Sequence, residues 1–157
     1  MTDMTMRKFI LLITMLIPMF GCANNKPCGQ IVSYEYSYSG CMMYPIVEYQ
    51  LVKDASGVQT LNYSKNDGVI HSIVLQEDAL GRIDLIVKRG SLHRLKERYT
   101  PLMTILDGYT WSLRIGYERS SIYSHGSNAY PSRKKWDTIE SINSYLEEII
   151  AANPERK

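Results

Sequence analysis

The sequence has little excess charge, few cysteines and histidines, and none of the common catalytic motifs. A formal net charge of +2 over 157 residues, without a long basic run, excludes the usual nucleic-acid-binding proteins. The 3 cysteines and 3 histidines include no CxxC pair and no two histidines at helical spacing, which excludes the common zinc sites. No Gly-x-Ser-x-Gly elbow and no phosphate-binding glycine loop is present. We therefore expect no catalytic residue, no metal site and no cofactor.

Phenylalanine and tryptophan are also scarce, and tyrosine is abundant instead. The chain has 12 Tyr but only 2 Phe and 2 Trp. A tyrosine ring is apolar while its hydroxyl is polar, so tyrosine suits the half-exposed face of a sheet. The hydrophobic fraction of 45% and the charged fraction of 22% are typical of a globular domain.

The longest apolar run lies near the N-terminus. Arg7 and Lys8 precede an uncharged run over residues 9–20. A membrane-spanning helix needs about 20 apolar residues, so this shorter run is typical of a signal peptide. The run ends in Met19-Phe20-Gly21-Cys22, which resembles the lipobox of bacterial lipoproteins, where a small residue precedes the modified cysteine.

The lipobox resemblance implies that residues 1–21 are removed and that Cys22 is lipidated and becomes the first mature residue. Several acyl chains anchor a protein stably in a membrane. Residues 22–30 are then a flexible tether, and residues 31–153 are a single globular domain. Ala23, where an Asp would favour the inner membrane, indicates the outer membrane without specifying the face. The alternative is an ordinary secretory signal with an incidental cysteine.

Two cysteines remain after lipidation of Cys22. An exported chain meets oxidising conditions, so a disulfide between Cys28 and Cys41 is one prediction. Two separate thiols are the alternative, because pairing requires a geometry that sequence spacing alone does not supply.

Alternation of apolar and polar residues predicts a meander of antiparallel strands in the first half of the domain. In the first strand, Val32, Tyr34, Tyr36 and Tyr38 share one face, while serines and Glu35 share the other. The predicted strands cover residues 31–39, 44–53, 58–64 and 69–75, with turns at 54–57 and 66–68.

The second half combines helices with further strands. Residues 77–89 favour a helix, with a strand as the alternative, and residues 92–98 suit a short strand. Residues 111–118 alternate again and pair with 121–125, and apolar spacing predicts a helix over 133–152. The sequence therefore predicts an α+β fold: an antiparallel sheet of about six to seven strands with two helices, the C-terminal helix packed on the sheet.

Three local motifs add a family resemblance. Met42-Met43-Tyr44-Pro45, the segment Asp107–Ser112 and the segment Gly126–Pro131 resemble small uncharacterised lipoproteins of Bacteroidetes-type bacteria. The resemblance implies a compartment and a fold class, and it implies no catalytic residue.

The sharpest binding hypothesis concerns residues 124–132, interpreted as a polar loop before the last helix. Helix N-termini attract anions and disfavour cations, so basic residues there suggest a bound anion such as a phosphate, a sugar acid or a lipid head group. The candidate ligand-binding residues are His125, Ser127, Asn128, Tyr130, Arg133 and Lys134. The alternative is that Asn128 forms a left-handed turn, Ser132 caps the helix and the cations are solvated.

Two other features have structural interpretations. The row Tyr34, Tyr36 and Tyr38 is expected to pack beneath a helix, with binding of a sugar or partner strand as the alternative. Basic residues between Lys88 and Arg98 are expected to protect an edge strand, with contact to anionic lipid as the alternative.

These observations predict a non-enzymatic, membrane-tethered binding domain of the cell envelope. Its expected partners are the membrane, through Cys22, and an envelope protein or glycan. A small inhibitor of a hydrolase such as lysozyme or a protease, acting through a loop such as 124–132, is the first alternative. A glycan-active enzyme is the second.

Overall fold

The computed structural model describes residues 26–40, 46–66, 68–103 and 108–154. The strands are β1 (Ile31–Ser39), β2 (Val47–Lys53), β3 (Gln59–Lys65), β4 (His71–Leu75), β5 (Arg98–Tyr99), β6 (Thr110–Tyr117) and β7 (Ser120–Ser127). The helices are α1 (Ala79–Gly90) and α2 (Arg133–Ala152), and a short 3-10 helix, Leu92–Arg94, follows α1. The helix predicted over 77–89 is therefore confirmed.

The strands form one seven-stranded sheet in the order β4-β3-β2-β1-β6-β7-β5. All neighbouring pairs are antiparallel except β5 and β7, which are parallel. Both helices cover the same face: the Tyr34 hydroxyl donates to Asn143 of α2, and the Tyr117 hydroxyl donates to Asp84 of α1. The predicted α+β class, with the C-terminal helix packed on the sheet, is confirmed.

The core lies between this covered face and the two helices. Tyr34, Leu51, Leu61, Leu113 and Ile115 from the sheet are fully buried. Their partners on the helices include Ile83, Val87, Ile139, Ile142 and Leu146, all fully buried too. Fully burying each such side chain contributes about 1.5–3 kcal/mol, so the alternation in the sequence fixes which face is covered.

A register irregularity near the start of β1 changes one predicted orientation. The pairing of β1 with β6 shifts between Ile31 and Ser33, as at a β-bulge. Ile31 is therefore buried, whereas Val32, which strict alternation places on the covered face, is only half-buried.

Two predicted segments differ from the structure. Residues 92–98 are not a strand throughout, because Leu92 and Leu95 are both buried at helical spacing and only Arg98–Tyr99 pairs with β7. Residues 124–127 are not loop, because β7 continues to Ser127. The buried Ser124 hydroxyl donates to the Lys96 carbonyl at 2.7 Å, which allows a polar residue inside the covered face.

The segment that precedes β1 is bonded to the β6–β7 turn. The Arg119 amide donates to the Cys28 carbonyl at 3.1 Å, and the Glu118 amide donates to the Gln30 carbonyl at 3.0 Å. The Ser120 hydroxyl donates to the Lys26 carbonyl at 2.8 Å. The part of the predicted tether from Lys26 to Gln30 is thus held against the domain.

Cys28 forms a disulfide whose partner lies outside the described residues, as Cys41 and Cys22 both do. The predicted pairing of Cys28 with Cys41 therefore lies outside the described residues and stays a prediction.

Within the described ranges, no helix has the length and apolar character needed to cross a bilayer.

Candidate functional site

The structure separates the residues of the predicted anion site. His125 and Ser127 lie on β7, on the sheet face that the helices leave uncovered. Asn128 has a left-handed backbone with φ 51°, and its side-chain oxygen accepts from the Tyr109 amide at 2.9 Å. The predicted left-handed turn at Asn128 is confirmed, and its side chain holds the start of β6.

The basic residues at the start of α2 do not converge on one point. Arg133 and Lys134 are exposed, and the Arg133 side chain lies 3.9 Å from the Asp137 carboxylate. The Lys135 ammonium instead donates to the Arg94 carbonyl. Ser132 precedes the helix, but its hydroxyl makes no capping bond. These described side chains therefore do not meet in one cluster.

Tyr130 is the exception, because it lines a cleft of about 400 Å³ between α2 and the neighbouring ends of β1 and β2. We call this the aromatic cleft. Its volume is within the range of about 300–1,000 Å³ that is typical of small-molecule sites. It is lined by Tyr36, Tyr38, Val47, Tyr49, Tyr130, Trp136, Glu140, Asn143, Ser144 and Glu147.

Stacked aromatic rings form one wall of the aromatic cleft. Tyr109 stacks on Tyr38 and on Tyr130, with ring centroids 5.9 Å and 4.4 Å apart. Trp136 lies against Tyr130 at 4.2 Å with an interplanar angle of 52°, so the two rings form a corner. Tyr130 remains 41% exposed. An exposed ring supported by other rings offers a rigid apolar surface for a ligand.

Two buried tyrosines form the floor. Tyr36 and Tyr49 stack with centroids 6.3 Å apart, and each is 5% exposed. Burial raises the pKa of both hydroxyls above the ordinary tyrosine range. They therefore stay protonated at neutral pH, and the Tyr49 hydroxyl donates to the Glu147 carboxylate.

The polar side of the aromatic cleft comes from one face of α2. Glu140, Ser144 and Glu147 follow each other at helical spacing. Glu147 lies 2.5 Å from the Lys65 ammonium. Glu140 is exposed overall, but partial desolvation of its carboxyl, and then the nearby Asp137 charge, raise its pKa. Within the described part of the chain, no ion pair neutralises Glu140.

A second concavity, of about 610 Å³, lies on the uncovered face of the sheet. Its side chains bond to one another across the strands: Ser37 to Ser112 at 2.7 Å and Asn62 to Gln50 at 3.2 Å. His125 has a buried Nδ1 without a partner in the described structure, but it does not line this concavity. Some of the polar side chains of this concavity are therefore already bonded to one another, and it lacks the exposed stack of rings found in the aromatic cleft.

Tyr130 and the row Tyr34, Tyr36 and Tyr38 are separate features in the sequence. The sequence does not show that Tyr36, Tyr38 and Tyr130 line one cleft, together with Glu140 and Glu147 and beside the Tyr109 ring. The available signal was the spacing of Trp136, Glu140 and Glu147 along α2, which places carboxylates beside a half-exposed indole. The described residues contain no group of three His, Cys, Asp or Glu side chains that could hold a metal ion.

Comparison with known proteins adds no relative. No protein-family model matches the chain, and a search of curated proteins finds no match. The aromatic cleft and the N-terminal sequence are therefore the features that bear on function.

Proposed function

We propose that the protein is a lipid-anchored, non-enzymatic binding protein of the bacterial cell envelope that holds its ligand in the aromatic cleft. The observation that carries the binding role is the corner of Tyr130 and Trp136, half-exposed rings inside a concave surface. Folding normally buries large aromatic side chains, so rings left exposed in a concavity favour a ligand.

The anchoring part of the proposal rests on the N-terminal sequence. The lipobox-like Gly21-Cys22 supports lipidation of Cys22 and attachment to the outer membrane.

Labelling with a fatty-acid analogue tests the anchor. The wild-type protein should incorporate the label and sediment with membranes, and Cys22→Ser should abolish both. Cys28→Ser is the matched control and should retain both. Labelling that persists in Cys22→Ser would contradict the anchor.

Tryptophan fluorescence tests the binding site, because Trp136 lines the aromatic cleft while Trp111 is 2% exposed. Panels of neutral sugars, sugar acids and amines would be titrated into the purified domain. A ligand should shift the emission of the wild type and of Tyr123→Ala, but not of Tyr130→Ala. Tyr123 is a matched control, since it is 38% exposed and lies on the uncovered face.

The same titrations separate the rival functions. A panel sugar that is hydrolysed by the domain would replace the binding role with a glycan-active enzyme. Inhibition of lysozyme or a protease by the purified domain would instead favour a hydrolase inhibitor, whose candidate loop is shorter than predicted because 124–127 continue β7.

A further inference from the structure

The chemistry of the aromatic cleft selects a class of ligand, and this inference rests on the proposed function. We propose that the aromatic cleft binds an organic cation of the quaternary ammonium type. The group can belong to a free solute such as choline or to a phosphocholine head group, which present the same trimethylammonium.

Charge is the first argument. The cleft lining contains two carboxylates, Glu140 and Glu147, and no cation. Lys65 of β3 pairs with Glu147, so the carboxylate of Glu140 has no ion-pair partner among the described residues. The acidic cleft therefore repels anions and attracts cations.

The charged groups around Glu140 on the packed elements do not reverse this sign. On α2, Asp137 adds a negative charge and raises the pKa of Glu140 after burial. On α1, the Arg82 guanidinium lies over the Tyr145 ring at 4.2 Å, in a separate concavity that Glu140 also borders. The strand residues that line the cleft carry no charge: they are Tyr36, Tyr38, Val47 and Tyr49.

The rings are the second argument. The face of an aromatic ring carries partial negative charge, and cages of aromatic rings are the usual site for quaternary ammonium groups. The Tyr130 and Trp136 ring planes meet at 52° with centroids 4.2 Å apart, so one bound group can contact both. Tyr38 adds a third ring, its hydroxyl 3.4 Å from that of Tyr130.

The hydroxyl groups argue against a sugar as the preferred ligand. Sugar recognition needs directional hydrogen bonds, whereas a quaternary ammonium has no N–H and needs none. The Tyr49 hydroxyl already donates to Glu147, and the Tyr38 and Tyr130 hydroxyls bond to each other. The cleft therefore offers ring faces and negative charge more than available donors.

The state of Glu140 is the third argument. Its carboxyl borders the cleft on an otherwise exposed residue, and partial desolvation there raises its pKa, which makes the ionised form less favourable than in the unfolded chain. A bound cation would supply the partner that the described residues do not, and it would lower this pKa again.

The test compares choline, tetramethylammonium and the neutral carbon isostere of choline, in which a tert-butyl group replaces the trimethylammonium. Dissociation constants are measured by calorimetry and by Trp136 fluorescence. We expect the neutral isostere to bind at least about tenfold more weakly than choline, and Glu140→Gln to weaken choline binding by a similar factor. Glu48→Gln is the matched control, since Glu48 is an exposed carboxylate on the uncovered face.

Stability measurements keep this test independent of folding. Glu140→Gln should not destabilise the domain at neutral pH, so a loss of affinity cannot come from unfolding. Phosphatidylcholine vesicles and free choline are compared in parallel. Binding to vesicles alone identifies the head group, and binding to choline alone identifies a free solute.

The outcomes separate the two proposals. Equal affinity for choline and its neutral isostere, or unchanged affinity in Glu140→Gln, overturns the cation inference and leaves a cleft-binding protein. Binding of a neutral sugar that is lost in Tyr130→Ala, without any binding of choline, also overturns the cation inference and leaves a cleft-binding protein. If no panel compound binds in a Tyr130-dependent way, both proposals fail.

Discussion

The hydrogen bond between Tyr34 and Asn143 joins the centre of the sheet to α2, and its removal should be costly. The Tyr34 hydroxyl donates to the Asn143 side-chain oxygen at 2.8 Å, and both residues are buried, with exposures of 0% and 8%. Tyr34→Phe keeps the ring but leaves this oxygen without its donor in the core. An unsatisfied buried polar atom costs about 1–3 kcal/mol.

Urea denaturation of the purified domain measures this cost as a lower free energy of unfolding with an unchanged m-value. The total stability of such a domain is about 5–15 kcal/mol, so the loss is a large fraction of it. Tyr123→Phe is the matched control, because the exposed Tyr123 lies on the uncovered face; it should change stability by less than about 0.5 kcal/mol.

A double-mutant cycle sharpens the same prediction. Asn143→Leu alone leaves the Tyr34 hydroxyl without its acceptor and should also destabilise the domain. The combination of Tyr34→Phe and Asn143→Leu removes both polar groups and should recover part of the loss, because the cost arises mainly from the unpaired atom. A loss below about 0.5 kcal/mol in Tyr34→Phe, or strictly additive losses in the double variant, would refute the reasoning.

Three further predictions follow from local geometry. Gly126→Ala should destabilise the domain by about 1–3 kcal/mol in the same assay, because a Cβ there would overlap the Trp111 indole; an unchanged midpoint would contradict this. Because folding raises the pKa of Glu140, its ionised form opposes folding, so Glu140→Gln should stabilise the domain at neutral pH. That gain should shrink as the pH falls through the folded pKa and vanish below the unfolded pKa; a gain that grows in acid would reverse the assigned sign. Because Cys28 is disulfide-bonded, iodoacetamide should modify its thiol in the unlipidated chain only after reduction, and labelling without reduction would contradict the bond.

The sheet was predictable wherever burial alternates with period two. Tyr34, Leu51 and Leu113 are fully buried as the alternation requires, so the sequence predicts most strand positions. The bulge after Ile31 was not predictable, because it depends on pairing with β6 and not on local pattern. The continuation of β7 to Ser127 was missed since Ser124 finds its partner on a distant segment, the carbonyl of Lys96.

The cleft was less predictable than the fold. Tyr38 on β1, Tyr109 before β6 and Tyr130 before α2 are far apart in sequence, and only the order of the strands brings their rings together. The binding hypothesis for residues 124–132 therefore grouped sequence neighbours whose side chains lie on opposite faces of the sheet.

The hydrogen bonds that hold the segment from Lys26 through Gln30 against the β6–β7 turn also fix the end of the domain at which this segment lies. They lie at the Ile31 end of β1, whereas Tyr38 of the aromatic cleft lies about 23 Å away at the other end. With Cys22 lipidated, the four residue steps to Lys26 span at most about 15 Å, so the membrane would lie at the pole opposite the cleft. The head-group layer of a bilayer is only about 5–8 Å deep on each side. β1 would then act as a spacer that presents the cleft to the fluid or to a facing surface, beyond the head groups of its own leaflet.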